Sequence, residues 1–487
     1  MSERTLLSPA PAPVSSPAPA LDARSLPGLE PAEPRSRTGP ALAIIVTVQL
    51  MLILDATVMN VALPRIQASL HFSNVGLAWV LDAYTLAFGG LLLLGGRLGD
   101  LFGRRRLFIG GIALFTLASL AGGFATSSAW LLTARALQGV GAAAAGPSAV
   151  ALLTSTFTEQ KARIRALSVF AGMSSAGFAL GLLAGGVLTE VASWRWVLFI
   201  NVPFGLAAVA LAPRYLRQPP LHETRLDVGG AITATGGMAA LVYGLIHAAT
   251  EGWGNALTVA PLAGGAVLIS TFLLLQARVA HPLLPLHLFK DRNRAAAYAN
   301  YCLGPAAGMS MFFVVSQYLQ DVLHYSPLRT GFAFLPVSVI IFTFSRLMPR
   351  LLPRFGPKPL AVAGTVLMAA GLASMTQLSA TSSYAANLLG PMVLLGFGMG
   401  LAFNPLTVVI MSTVDPKDAG AAGGTMQTLQ QTGASLGVAI LVTVSATAVQ
   451  HDPAHSLVSG MTAALTAGTA IALLTVLVAL TFRRINR

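Results

Sequence analysis

Three formal charges interrupt stretches that are otherwise apolar. Asp55 lies in "MLILDATVMNVALP" (51–64), Asp82 in "WVLDAYTLAFGG" (79–90) and Arg135 in "ARALQGVGAA" (134–143). An ion taken out of water must be paired or neutralised, so each implies a partner. A nearby guanidinium favours the charged form of a carboxylate, whereas desolvation and a second acid oppose it. A carboxylate balanced between these effects changes protonation as its access to water changes, which is what a proton carrier requires. Gln138, one turn from Arg135 on the same helix face, is placed to orient the guanidinium. The competing reading is a static ion pair that only ties helices together, although buried pairs stabilise poorly compared with apolar packing.

The surrounding chain explains why these charges are unusual. Of 487 residues, 55% are hydrophobic and 10% charged, with a mean hydropathy of +0.72. Soluble domains are nearer one quarter charged, so the composition points to an all-α polytopic membrane protein. A span needs about 20 mainly apolar residues. Fourteen such segments are predicted, near 41–63, 76–96, 107–127, 129–154, 164–189, 195–213, 228–249, 258–277, 296–320, 330–348, 359–378, 386–412, 420–447 and 459–481. With the N-terminus inside, 26 of the 30 Lys and Arg fall on cytoplasmic segments. The net charge of +13 is therefore topology, not a nucleic-acid footprint. The same count returns the C-terminus (483–487, with Arg483, Arg484 and Arg487) to the cytoplasm. Residues 1–40 lack an apolar core and read as a disordered cytoplasmic tail. Arg-rich, Ala-rich usage suggests a GC-rich bacterial genome and hence a bacterial cytoplasmic membrane. Cys302 is the single cysteine, which excludes an internal disulfide and suggests no zinc site. Depth follows from the helical rise. Asp55 is placed ~13 Å below the outer end of its span, and Asp82 and Arg135 ~9 Å below theirs. A compact acid–acid–arginine group is thus expected in the outer half.

The second span ends in "GGRLGDLFGRRR" (95–106), in which Gly96, Gly99 and Gly103 permit a tight turn around Asp100, followed by Arg104 and Arg105. This stretch resembles the cytoplasmic-loop signature of the major facilitator superfamily. "LDATVMNVALP", "WVLDAYTLAFGG", "ARALQGVGAA", "WRWVLFINVPFG", "PLLPLHLF" and "DAGAAGGTMQTLQQTGASLG" resemble its fourteen-span drug:proton antiporters, a likeness that runs from about residue 41 to 481. The resemblance implies a six-helix bundle at 41–214, an inserted helix pair at 215–278 (spans 7 and 8) and a second six-helix bundle at 279–482. "PRLLPRFGPK" (349–358) lays onto "GRLGDLFGRR", matching Leu98 with Leu351, Phe102 with Phe355 and Gly103 with Gly356. Pro353 replaces the acid, so the Asp100 latch exists once. By analogy Asp100 meets the helix N-terminus near Gly420. In span 5, Gly172, Gly177, Gly181, Gly185 and Gly186 keep the family's glycine spacing for close packing, but Leu182 stands where its antiporters have proline.

Met309, Met311, Phe312, Phe313, Gln317 and Gln320 in span 9, Asn404 in span 12, and Gln427, Gln430 and Gln431 in span 13 are candidates, with Gln138, for a substrate cavity. Flexible Met and aromatic surfaces suit loosely specified apolar ligands, although Met and Phe in a span more often pack. The chain shows no GxxxxGK[ST] loop, HExxH or GxSG. Neither an ATP-driven pump nor an enzyme is expected. The expectation is proton-driven efflux of a hydrophobic or amphipathic drug by alternating access. Its partners would be protons and membrane lipid, with no cofactor and no ATP. A facilitator or symporter of a small metabolite, or a non-transporting membrane sensor, are the alternatives on the same fold.

Overall fold

The computed structural model of the chain describes residues 38–73, 75–219, 227–279, 282–412, 414, 418–451 and 457–482. The tail through residue 37 and residues 483–487 lie outside these, as do the side chains of Met309 and of positions 419 and 420. The architecture is helical. In the first half run α1 (Thr38–Leu70), α2 (Trp79–Phe102), α3 (Arg104–Gly123), α4 (Ser128–Thr156), α5 (Gln160–Val191) and α6 (Trp196–Tyr215). Next come α7 (Val228–Glu251) and α8 (Ala256–Gln276). The second half holds α9 (Arg292–Val322), α10 (Pro327–Phe355), α11 (Pro357–Met375), α12 (Tyr384–Ser412), α13 (Ala419–His451) and α14 (Leu457–Leu480). Among the described residues, 13 helices are long and apolar enough to cross a membrane. The exception is α5, which is 32 residues long but whose described apolar stretch is Ala176–Val191.

Helix boundaries follow local chemistry. Ser127, Asp227, Asn255, Asp291 and Ser326 each accept a backbone N–H in the first turn of α4, α7, α8, α9 and α10, supplying partners that helix starts lack. The repeat read from the sequence has a structural counterpart. Gly103 and Gly356 end α2 and α10 at φ of +101° and +77°, a conformation that favours glycine. A second repeat joins them. His71 and His324 close α1 and α9 at φ of 55° and 54°, within "LHFS" (70–73) and "LHYS" (323–326). One helix outruns its apolar stretch: α1 continues through Pro64 to Leu70, because Ile66 and Leu70 still reach the core.

Helices α1 to α6 pack chiefly on one another, as do α9 to α14. The two sets meet along α2 with α13 and along α5 with α10, and α7 lies against both α2 and α13. Small residues set the α1–α5 distance. A Cβ at Gly181 would collide with the Thr57 hydroxyl, and one at Gly185 would sit 2.7 Å from the Val58 carbonyl. Gly186 approaches the Pro327 carbonyl of α10 in the same way, at 2.7 Å, and Gly177 lies over Leu50 and Ile53. Gly172 differs, since its nearest neighbour is an Arg346 nitrogen at 3.7 Å. Leu182 is 1% exposed and its carbonyl faces Gly331 of α10, and α5 runs unbroken through this position.

This packing has a direct consequence. Gly185→Val overpacks a backbone contact and should cost about 1–3 kcal/mol, lowering the melting midpoint of the detergent-solubilised protein. Gly172→Ala should leave the midpoint where it is. Equal midpoints for the two variants would show that α1 and α5 are not held at glycine distance.

Candidate functional site

Asp55 is wholly buried on α1 and is reached by three donors. Arg135 Nη1 donates to Oδ2 at 2.6 Å, while Gln138 Nε2 and Asn201 Nδ2 donate to Oδ1 at 3.0 and 2.7 Å. Gln138 also accepts from Arg135 Nη1 at 3.0 Å, so it orients the guanidinium as the sequence suggested. Arg135 Nε donates to the Val80 carbonyl of α2 at 3.0 Å, and its Cζ lies 4.5 Å from the centroid of the Tyr84 ring, within cation–π range. Ser119 of α3 accepts from Gln138 at 2.6 Å and from Asn201 at 3.3 Å. Five helices, α1, α2, α3, α4 and α6, therefore meet in one network around this carboxylate. The charge is compensated by an ion pair and by neutral donors.

Asn201 and Ser119 are absent from the sequence-derived site. Asn201 carried the better signal, as the one amide in "WRWVLFINVPFG" (194–205).

Asp82 does not join this group. It is fully buried, but its Oδ1 accepts from Ser435 Oγ of α13 at 2.8 Å, and its Oδ2 has no partner. Val80 and Tyr84 are the α2 residues that face Arg135. At 100° per residue, Asp82 is turned about 200° from each. The compact acid–acid–arginine group expected from depth is thus two separate sites. One lies inside the first half, and the other bridges the two halves.

At the end that carries the Asp100 turn, Arg97 Nη2 donates to the Pro282 carbonyl at 3.3 Å, and three further bonds between the halves lie at the end that carries the α1–α2 connection. Ser316 Oγ donates to the Asn60 carbonyl at 2.9 Å, Gln320 Nε2 to the Val61 carbonyl at 3.0 Å, and the Leu328 amide to Glu190 at 2.8 Å. At the opposite end, Asp100 pairs with Arg104 at 2.5 Å. Positions 419 and 420, where the analogy puts the partner of Asp100, lie outside the described side chains. Gly96 and Gly99 lie in the last turns of α2, and Gly103 is the turn itself. Arg105 fastens the turn to the end of α6, through its amide on Gln218 and its guanidinium on the Pro213 and Leu216 carbonyls.

The candidate cavity residues divide. Met311, Phe312 and Phe313 are buried in the largest apolar core, where Phe312 meets Phe178 of α5 and Phe334 of α10 at centroid distances of 5.0 and 5.3 Å. Gln138 belongs to the Asp55 network. Gln317, Gln427 and Gln430 are half-buried, and Asn404 is exposed on α12. Gln320 is engaged between the halves. Gln431 stacks its Cβ against Gly89 of α2 on the seam between them.

Comparison with known proteins places this arrangement. The puromycin resistance protein of Streptomyces alboniger is 43% identical, over 85% of this chain and 82% of its own. The cephamycin export protein of Amycolatopsis lactamdurans is 41% identical, over 85% of this chain and 86% of its own. The fold matches the crystal structure of an auto-inhibited POT family peptide transporter with a TM-score of 0.69, at 17% identity, over 92% of this chain and 98% of that one. The family model of the Major Facilitator Superfamily matches residues 45–438. The chain belongs to the Major Facilitator Superfamily.

Proposed function

We propose that the protein exports a hydrophobic or amphipathic antibiotic across a bacterial cytoplasmic membrane in exchange for protons. The observation that carries this reading is the Asp55–Arg135 pair, closed at 2.6 Å with side-chain exposures of 0% and 1%. Ionisable groups at membrane depth mark transport and proton pathways. The relatives named for puromycin resistance and cephamycin export supply the substrate class.

The chemistry proceeds within the network. A proton arriving at Asp55 removes its negative charge and weakens the bond to Arg135. The guanidinium is not stranded, because the Val80 carbonyl, the Gln138 Oε1 and the Tyr84 ring remain against it. The loosened α1–α4 contact then permits the first half to rock against the second. Asp82 supplies the complementary group. Its bond to Ser435 exists only while α2 and α13 are together, and its second oxygen is left without a partner in this arrangement. Separation of the halves exposes it for proton release.

The finer organisation belongs to the same proposal. The chain crosses the membrane fourteen times with both termini in the cytoplasm. Helices α1 to α6 and α9 to α14 form two bundles, bounded near 41–214 and 279–482, and α7 and α8 form an inserted pair. The α5 length and the basic-residue distribution support this. The α1–α2 end then faces outward, and the bonds of Asn60, Val61 and Glu190 to α9 and α10 support an outward-closed reading. Asp100, with Gly96, Gly99, Gly103, Arg104 and Arg105, serves the inner gate. Gln317, Asn404, Gln427 and Gln431 line the path between. The proton gradient is the energy source, with no cofactor and no catalytic group.

In cells challenged with puromycin-class and β-lactam antibiotics, an uncoupler should raise drug accumulation to the level of cells lacking the protein. Unchanged accumulation under the uncoupler would remove the antiport reading. Asp55→Asn keeps the shape but not the titration, and should reduce resistance to background at unchanged membrane abundance. Asp82→Asn keeps a group that accepts from Ser435, and should slow efflux several-fold without abolishing it. Complete loss in Asp82→Asn with normal efflux in Asp55→Asn would reverse the assignment of the two acids.

A further inference from the structure

The seam between α5 and α10 is tight at one end and loose at the other. Towards the Glu190 end, Cβ atoms at Gly186 and Gly331 would meet carbonyls of the facing helix at 2.7 and 2.8 Å. At Gly172, nearer the Asp100 end, a Cβ would meet only the tip of a side chain, Arg346 Nη2, at 3.7 Å.

Cations gather along this loose end. Arg350 and Arg354 follow Arg346 at intervals of four, so they continue one face of α10, about 6 and 12 Å further on. On α5, Arg165 and Lys161 lie on the face of Gly172, about 10 and 16 Å before it. The helices run antiparallel, so Arg165 comes level with Arg350 and Arg354. All five side chains are exposed. Glu159 is the one acid in segments 157–170 and 339–358, against seven Lys and Arg. Among the described residues, no carboxylate pairs with any of the five.

The positive-inside bias explains why basic residues lie at this end of the helices, but not why these are unpaired. At the seam of α2 with α13 the protein supplies acceptors itself. Arg97 has the Pro282 carbonyl, Arg104 has Asp100, and Arg105 has the Pro213 and Leu216 carbonyls. Cations that share one gap without acceptors repel one another, and an anion between them removes that cost.

Their level identifies the anion. Arg165 and Arg346 lie just inside the apolar segments 164–189 and 330–348, and the other three lie just beyond. Val169, one turn from Arg165, is 39% exposed, and Val339, two turns from Arg346, is 56% exposed. Apolar surface therefore begins directly beside the cations, at the level where acyl chains meet headgroups. A soluble anion would use the charges and leave that surface bare, whereas a phospholipid uses both.

We infer that the Asp100 end of the α5–α10 seam binds an anionic phospholipid. Its phosphate lies among Arg165, Arg350 and Arg354, whose planar guanidinium groups suit bidentate phosphate contacts. Its acyl chains lie along Val169 and Val339. Because α5 belongs to one half and α10 to the other, the headgroup bridges the halves where their helices are apart. The site does not depend on the transport reading.

The test uses the delipidated protein in detergent, with dioleoylphosphatidylglycerol and dioleoylphosphatidylcholine as probes and native mass spectrometry as the readout. The anionic lipid should bind about tenfold tighter than the zwitterionic one, a comparison that needs no variant. Arg165→Gln and Arg350→Gln should each weaken it about fivefold, the factor for about 1 kcal/mol per basic residue. Arg163 is exposed on the same helix but turned about 200° from Arg165. Arg163→Gln should therefore leave the affinity within about twofold, since a diffuse charge would lose as much there as at Arg165. Glycerol 3-phosphate should not displace the lipid. Equal affinity for the two lipids would overturn the proposal, as would equal losses in Arg163→Gln and Arg165→Gln. Displacement by glycerol 3-phosphate would also overturn it, and would make this a site for a soluble phosphate.

Discussion

The bond between Asp55 and Arg135 sets the terms for the helices around it. Two charges removed from water recover their hydration cost only through good geometry and further hydrogen bonds. The chain meets that condition by bringing α1, α2, α3, α4 and α6 to one point. Around Asp55 of α1, the other four supply a carbonyl from Val80, a hydroxyl from Ser119, and amides from Gln138 and Asn201. The close α1–α5 contact at Gly181 and Gly185 belongs to the same design, since it fixes α1 from the opposite side. An ordinary apolar core would be more stable. A balance that shifts when one proton is gained needs this arrangement.

The two acids show how similar residues acquire different roles. Asp55 is satisfied within one half, by a cation and neutral donors. Asp82 has a hydroxyl from the other half and an empty second oxygen. The first therefore reports on the packing of its own helices, and the second on whether the two halves are together. In the proposed alternating access both kinds of contact would matter, and α2 packs against α13 along the seam.

Much of this was legible in the sequence. Charges in apolar segments are rare because they are costly, so Asp55 and Arg135 stood out, and Gln138 could be set beside Arg135 from its spacing. The glycine turn at Gly103 and its copy at Gly356 were readable because only glycine tolerates their backbone well. The separation of Asp82 from Arg135 was not readable. Helical rise gives height along a span, but the direction a side chain faces depends on which neighbours the helix finds. Asn201 and Ser119 escaped for a different reason, since a single neutral polar residue in a span costs too little to stand out. Phe313 was misleading in the opposite sense: an aromatic that suits a drug cavity also suits a core, and here it packs in the core.

The central claim is that Asp55 couples substrate movement to protons rather than carrying the substrate itself. Reconstituted protein allows the two to be separated, by measuring substrate counterflow without a gradient beside uptake driven by an imposed pH difference. The account predicts that Asp55→Asn retains counterflow within a few-fold of the unaltered protein and loses the response to the pH difference. A pH-driven response that survives in Asp55→Asn would contradict it.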